Sequence, residues 1–465
     1  MESFTLSDVA AAVDGRLIGA EDPGSVLPTG ACIDTRVLSR GELFFALPGE
    51  QIDGHRFVGA ALEQGASAAV VADNWYRNLQ EDRRPVGPLV ITGAPDLALG
   101  QLGKVYRKRF DIPLIAITGS NGKTTTKEMT AAVLRTRYQV LATEGNLNTR
   151  LGVPMMLLRL SKHHDVAVIE MGITEDGGLS YLCDLAAPTI GVITNIGPAH
   201  LEFFGSVEGV AKAKGELLDY LDESSMAILN LDDLHLSKKR ARVKGRLLGF
   251  GIEEISQFRG ERLILDQEGC GQFSLQSLSF HLNVPGRHNV YNALAASAAG
   301  CALDVPLEYA ARALADFRPP ALRSQVLEQG GIRLLNDSYN ANPASMQAAL
   351  DTLAAMPAEG RRIAVLGDML ELGEIAEEAH QQLGRYASAG GVDALFALGD
   401  FGETLVGGAV ESGMGMANAY ETSDELAGAL SGFVAPGDVV LLKGSRGMRM
   451  EQVALRLGFD LQAVT

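Results

Sequence analysis

Apolar residues along this chain come in two rhythms. Unbroken runs such as PLIAIT (113–118), DVAVIEMG (165–172), TIGVITNIG (189–197) and SMAILNLD (225–232), bounded by Gly, Pro, Asp or Asn, read as strands buried on both faces. Between them lie stretches with helical spacing, notably VEGVAKAKGELLDYL (207–221) and HNVYNALAASAAGCAL (288–303). Near the start, FTLSDVAAAVDGRLIG (4–19) predicts a short helix opened by Ser7 or Asp8, then a turn and a strand. ELFFALPG (42–49) and ASAAVVA (66–72) predict strands flanking a helix in HRFVGAALEQGA (55–66). YQVLA (138–142) reads as a further strand, and FSLQSLSFHLNV (273–284) alternates as an antiparallel strand or hairpin does.

Pro319–Pro320 cannot continue a helix and predicts a linker. Beyond it, IRLLNDSYN (332–340), RRIAVLGDM (361–369), DALFALGD (393–400) and GDVVLLKGSRG (437–447) are four strands, each followed by a helical stretch. That repetition is a doubly wound α/β pattern, whose ligands gather at the carboxyl ends of the strands. The fold class is therefore α/β in three domains: a small α/β domain over 1–105, a central parallel-sheet domain over 106–318, and a doubly wound domain over 319–465.

The chain has 465 residues, enough for several cores without disulfides. Forty basic against 57 acidic residues give a net charge of −17. A general nucleic-acid or anionic-membrane binder would need a basic face, so neither partner is expected. The two basic runs, KVYRKR (104–109) and KKRARVKGR (238–246), read as solvated edges. Four widely spaced cysteines, no signal-like start and no apolar run of about 20 residues predict a cytoplasmic protein without a membrane span. A monomer is the default expectation.

Chemistry concentrates in Gly119-Ser120-Asn121-Gly122-Lys123-Thr124-Thr125, which follows a strand and opens a helix. Backbone N–H groups of such a turn point at phosphate oxygens, Lys123 adds a charge for the β/γ-phosphates, and the Thr124 hydroxyl suits Mg²⁺. The pattern departs from the usual phosphate loop in having Ile117 at the first glycine position. Glu170, at the end of a strand, suits Mg²⁺ or is a solvated strand-end acid. His200 follows a strand and reads first as a structural histidine, and Lys214 with Lys212 reads first as a solvated basic face. Asn289 and Asn292 share a helix face, where their amides fit an adenine edge, or Asn289 caps the helix. The cluster Asp337, Ser338, Tyr339, Asn340 and Asn342 is a ligand site at a strand end or a turn with a helix cap.

ITGSNGKTTTKEM, GNLNTRLGVP, IEMGI, TNIGPAHLEFFGS with AKAKGEL, PGRHNVYNALAA, NDSYNANPASM, LGDMLELG and KGSRGMRMEQV, taken in order, resemble the Mur ligases from about residue 30 to 450. The resemblance implies an N-terminal domain for a UDP-sugar, a central ATPase domain and a C-terminal Rossmann-like domain for an incoming dipeptide. It implies ATP-dependent, ADP-forming joining of D-alanyl-D-alanine to a UDP-N-acetylmuramoyl-tripeptide through an acyl phosphate, in peptidoglycan precursor synthesis. A related ligase adding a single amino acid, including a folylpolyglutamate-type enzyme, is the alternative within the family; a non-catalytic nucleotide-switched module is the alternative outside it.

By the same resemblance, Lys123 holds phosphates, Thr124 one Mg²⁺, and Glu170, His200 and a carbamoylated Lys214 a second. Asn289 and Asn292 face adenine, Asp337 the ribose, and Arg323 the γ-phosphate. Asn146, Asn148 and Thr149 match a segment near the muramoyl-peptide, with Thr149 where the family usually has Asn. Asp34-Thr35-Arg36 and Leu47-Pro48-Gly49 match the uridine pocket, as does Asp53-Gly54-His55 more loosely. Tyr339 and Asn340 fall to the substrate side.

Overall fold

In a computed structural model, which describes residues 1–49 and 52–461, the chain divides into two compact units. The first comprises 1–116, 138–173 and 177–191; the second comprises 117–137, 174–176 and 192–465.

The first unit opens with a helix over Leu6–Ala12 whose cap is Thr5, two residues before Ser7 and three before Asp8. The Asp8 backbone N–H donates to Thr5 Oγ1 at 3.1 Å, and the Thr5 N–H donates back to Asp8 Oδ2 at 2.7 Å. This reciprocal box explains the shift: Asp8 sits three residues into the turn rather than at its head. Strands β1 (Arg16–Ile18), β2 (Ala31–Cys32), β3 (Leu43–Phe45), β4 (Ala68–Ala72) and β5 (Leu89–Thr92) form a sheet in the order β1-β5-β4-β3-β2. Only β1 runs antiparallel to its neighbour. Phe44, Ala69, Val71 and Ile91 pack with Val58 and Ala61 of the helix Val58–Glu63 in its core. The helix Pro95–Arg107 runs unbroken through residue 105.

Strands β6 (Leu114–Thr118), β7 (Val140–Ala142), β8 (Val166–Glu170), β9 (Ile190–Ile193), β10 (Met226–Asn230), β11 (Arg246–Gly251) and β12 (Phe258–Arg259) follow in a sheet of order β12-β11-β10-β9-β6-β8-β7. Every residue of β6, β8 and β9 is buried, as their unbroken apolar runs require. The alternating segment is a hairpin, β14 (Cys270–Leu275) and β15 (Leu278–Pro285), flanked by β13 (Glu261–Leu265) in a three-stranded antiparallel sheet.

Beyond Pro319–Pro320 lie six strands: β16 (Gln325–Gln329), β17 (Ile332–Asn336), β18 (Arg362–Gly367), β19 (Ala394–Leu398), β20 (Ala417–Tyr420) and β21 (Val439–Lys443). Their order is β16-β17-β21-β18-β19-β20, parallel except for β16 against β17. Successive residues feed opposite faces: Ala364, Leu366, Leu395 and Leu441 enter one core, and Ile363, Val365, Phe396 and Val440 the other. The four strands expected here are the inner ones; β16 and β20 are the additional edges. Among the described residues no helix is long and apolar enough to cross a membrane.

Candidate active site

The turn after β6 is built around two glycines that only glycine can occupy. Gly119 has φ +148°, and a Cβ there would overlap the Thr194 hydroxyl; Gly122 has φ +78°, and a Cβ would press on the Asn292 amide. Helix Lys123–Arg135 starts directly after Gly122, so its first N–H groups open onto the turn. Lys123 Nζ donates to the Gly119 and Ser120 carbonyls at 2.8 and 3.3 Å, folding over the loop. Ser120, Thr124 and Thr125 are buried.

The segment after β9 braces this loop. The Ser120 N–H donates to the Asn195 carbonyl and the Asn121 N–H to Asn195 Oδ1, at 3.0 and 2.8 Å. The Thr194 hydroxyl and Asn195 Nδ2 both donate to the Asn121 carbonyl. Ser120 Oγ donates to the Gly197 carbonyl and accepts the Gly197 N–H. Thr194 and Asn195 were not singled out from the sequence; their position directly after a buried strand was the available signal. The Asn121 side chain meets that of Asn342 through paired amide bonds of 2.7 and 3.3 Å. Asn342 also caps the helix Pro343–Ala355, which is the cap reading of that cluster.

Lys214 lies on the helix Val207–Tyr220, whose start is capped by Ser206. It is 1% exposed, so it does not belong to a solvated face; its neighbour Lys212 does, paired with Asp176 at 2.9 Å. Burial first, and then the Lys123 cation, hold the Lys214 amine well below the ordinary lysine range. His200 begins a short helix with φ +56°, and its Nδ1 lies 2.6 Å from Glu371 Oε2. Burial, then Lys123, hold its imidazole below the usual pKa, against the opposing pull of Glu371. The glycine loop's Lys123, His200 and Lys214 are thus within electrostatic reach of one another.

Asn289 and Asn292 share a helix face, but Gly286 with φ +101° occupies the cap position of helix Arg287–Ala302 in place of Asn289. Both side chains are buried and bonded: Asn289 Nδ2 to the Pro285 carbonyl at 2.7 Å, Asn292 Nδ2 to Asn289 Oδ1 at 2.9 Å, and the Thr126 hydroxyl to Asn292 Oδ1 at 3.1 Å. Arg323 stands between Leu322 and Ser324, both with positive φ, and its guanidinium lies 3.8 Å from the centre of the Tyr339 ring. The Asp337 carboxylate accepts from the Ser324 N–H at 3.0 Å and from Lys443 Nζ at 2.5 Å. Lys443, itself buried, also donates to the Asn340 carbonyl at 2.9 Å. Ser338 is buried and bonded to Asn336.

In the first unit, Asn148 Nδ2 donates to Glu170 Oε1 at 2.7 Å, while Glu170 Oε2 is buried with no hydrogen-bond partner among the described residues. Glu170 is therefore no solvated strand-end acid. Asn146 is exposed, and the Thr149 hydroxyl accepts the Gly152 N–H at 3.3 Å. Arg36 and Asp34 form an exposed pair at 2.6 Å, which lowers the Asp34 pKa to about 2. Thr35 and Leu47 are partly exposed and Pro48 and Gly49 exposed. His55 is committed to the fold: its Nδ1 meets Asp53 Oδ1 at 2.6 Å and its Nε2 accepts the Ala72 N–H at 3.0 Å. Among the described residues no group of three or more His, Cys, Asp and Glu side chains is gathered for a metal.

Models of three Mur ligase domains match the chain in order: the family's catalytic domain over 29–94, its middle domain over 117–300 and its glutamate ligase domain over 322–446. Curated relatives extend the match over almost the full length: 34% identity with the UDP-N-acetylmuramoyl-tripeptide–D-alanyl-D-alanine ligase of Bacillus subtilis, covering 97% of each chain. The chain belongs to the Mur ligase family. Within it, the ligase of the same name from Escherichia coli is 37% identical, over 98% of this chain and 99% of its own. Among solved Mur ligases, MurF from Acinetobacter baumannii superposes with a TM-score of 0.88 at 31% identity, over 98% and 99% of the two chains. MurF ligase from Thermotoga maritima in complex with ADP gives 0.81 at 27%, over 95% and 100%.

Proposed function

We propose that this Mur ligase joins D-alanyl-D-alanine to a UDP-N-acetylmuramoyl-tripeptide, with ATP cleaved to ADP and phosphate, in the cytoplasm. The observation that carries the reading is near-full-length identity, 34–37%, with ligases named for that reaction. The glycine-built loop with Lys123 across its mouth supports ATP as the phosphoryl donor. The division into a UDP-sugar domain over 1–105, an ATP domain over 106–318 and a dipeptide domain over 319–465 is supported by the three family matches.

In this reading the terminal carboxylate of the tripeptide attacks the γ-phosphorus and ADP leaves. The amine of D-alanyl-D-alanine then attacks the acyl carbon, and phosphate departs as the amide forms. Both first reactants are anions, so the loop N–H groups, Lys123 and Arg323 neutralise their approach. Arg323 starts from its stack on Tyr339 and swings to the γ-phosphate. Asn289 and Asn292 wall the adenine side, Asp337 receives the ribose, and Asn340 lies on the dipeptide side. Asn146, Asn148 and Thr149 receive the muramoyl-peptide, and Thr35, Arg36, Leu47 and Gly49 the uridine.

The donor chemistry fits magnesium. Glu170 carries a buried oxygen without a partner among the described residues, and Lys214 a buried amine whose depressed pKa suits reaction with CO₂. That reaction forms an N–C bond, releases one proton and leaves a carbamate, an anionic oxygen donor in place of a cation. Thr124 would hold one Mg²⁺; Glu170, His200 and the Lys214 carbamate would hold the second. Bound magnesium supplies charge neutralisation and orientation of the phosphates.

The reading predicts that the purified chain releases phosphate from Mg-ATP only when UDP-muramoyl-tripeptide and D-alanyl-D-alanine are both present. A coupled phosphate assay checks this, with a panel of single amino acids as competing amines. Equal release with a single amino acid, or without any amine, contradicts it.

A further inference from the structure

His200 precedes the Pro319–Pro320 linker by more than a hundred residues, and Glu371 follows it in the segment after β18. The two nevertheless meet, Nδ1 to Oε2, at 2.6 Å. A second contact runs alongside, from the Glu202 N–H to the Glu371 carbonyl at 3.2 Å. Both residues hold left-handed backbone conformations, φ +56° for His200 and +62° for Glu371. Such conformations in residues other than glycine are uncommon and persist where the surroundings enforce them. Here each presents its side chain to the other.

The pair is too open to matter much for folding: the side chains are 24% and 46% exposed. Its consequence is chemical. An imidazole whose Nδ1–H donates to a carboxylate is fixed in one tautomer, with its lone pair on Nε2. His200 Nε2 carries no hydrogen bond among the described residues, so it is the nitrogen left to bind a cation.

We propose that Glu371 is a positioning residue, which fixes the tautomer and orientation of His200 from beyond the linker and so completes that ligand only when the C-terminal segment is docked. The inference rests on His200 being a magnesium ligand. It makes the metal site dependent on a residue that touches neither metal nor nucleotide.

The test is Mn²⁺ affinity, read by electron paramagnetic resonance on the full chain saturated with β,γ-imido-ATP. Glu371→Ala is expected to weaken Mn²⁺ binding about tenfold, the lower end of what loss of such a partner costs. Glu371→Gln, whose amide oxygen still accepts from Nδ1–H, is expected to lose less. Turnover should fall with the metal affinity while KM for ATP stays unchanged. Circular dichroism melting of both variants should match the parent, and if Glu371→Ala melts early the Gln variant carries the comparison against Glu371→Asp, whose shorter arm should cost more. His200→Ala separates the two layers. Loss of Mn²⁺ in His200→Ala with parent affinity in every Glu371 variant overturns the positioning role alone. Parent affinity in His200→Ala removes His200 from the ligand set, and the inference with it.

Discussion

Replacing Lys214 by Met is expected to lower turnover about a thousandfold while leaving the fold as stable or more so. The size follows from what one preorganised electrostatic contact contributes in a closed site, about 10²–10³ in kcat. The stability half follows from burial. Lys214 is 1% exposed and lies within reach of the Lys123 cation, so burial first and Lys123 second depress its pKa. The unfolded chain, with an ordinary lysine pKa of about 10.4, binds a proton that the fold resists. In CO₂-free buffer, stability therefore rises with pH from the depressed folded value up to the unfolded one. Met removes that penalty at similar volume. Thermal melting across pH and the coupled phosphate assay check the two halves together. A ¹³C resonance from labelled bicarbonate should appear on the parent and be missing from the variant. Turnover within tenfold of the parent would show that the buried amine has no part in the chemistry.

Lys123→Ala is expected to lower kcat/KM for ATP by about 10²–10³-fold without unfolding the protein. Its ammonium leans on two carbonyls of the loop it closes, at 2.8 and 3.3 Å, and would be exchanged for phosphate oxygens when nucleotide binds. The loop itself stands on Gly119, Gly122 and the braces from Thr194 and Asn195, which the substitution leaves in place. The uncoupled outcome, weak turnover in a protein that melts normally, is what steady-state kinetics and calorimetry should report. Removing Lys123 should also relieve the repulsion felt by Lys214 and His200, so the two variants are not expected to be additive.

How far these sites could be read from the sequence depended on the range of the interactions. Strands β6, β8, β9, β18, β19 and β21 are buried on both faces, and an unbroken apolar run leaves little alternative. Strands β16 and β20 escaped because they are half-exposed edges, where polar residues such as Gln325, Glu328 and Asn418 dilute the signal. The glycine turn ahead of helix Lys123–Arg135 was legible because its glycines, lysine and threonine are consecutive. Its braces were not: Asn195 lies 74 residues from Asn121, Asn342 lies 221 away, and Glu371 lies 171 from His200. No periodicity links such pairs; only the folded sheet ends bring them together. Lys214 marks the opposite error. Its spacing beside Lys212 looked like a solvated face, but helix Val207–Tyr220 turns one lysine outward and buries the other. His55 has both ring nitrogens bonded within the fold, to Asp53 and to the Ala72 N–H, contacts that its place in the sequence does not reveal.

The proposed acyl phosphate is the center of the account, and following the carboxylate oxygens tests it directly. Tripeptide substrate labelled with ¹⁸O in both oxygens of its terminal carboxylate should be turned over with unlabelled ATP and D-alanyl-D-alanine, and the phosphate analysed by mass spectrometry. Attack of the carboxylate on the γ-phosphorus predicts one ¹⁸O in each phosphate released and the other in the amide. Phosphate free of label would contradict the account.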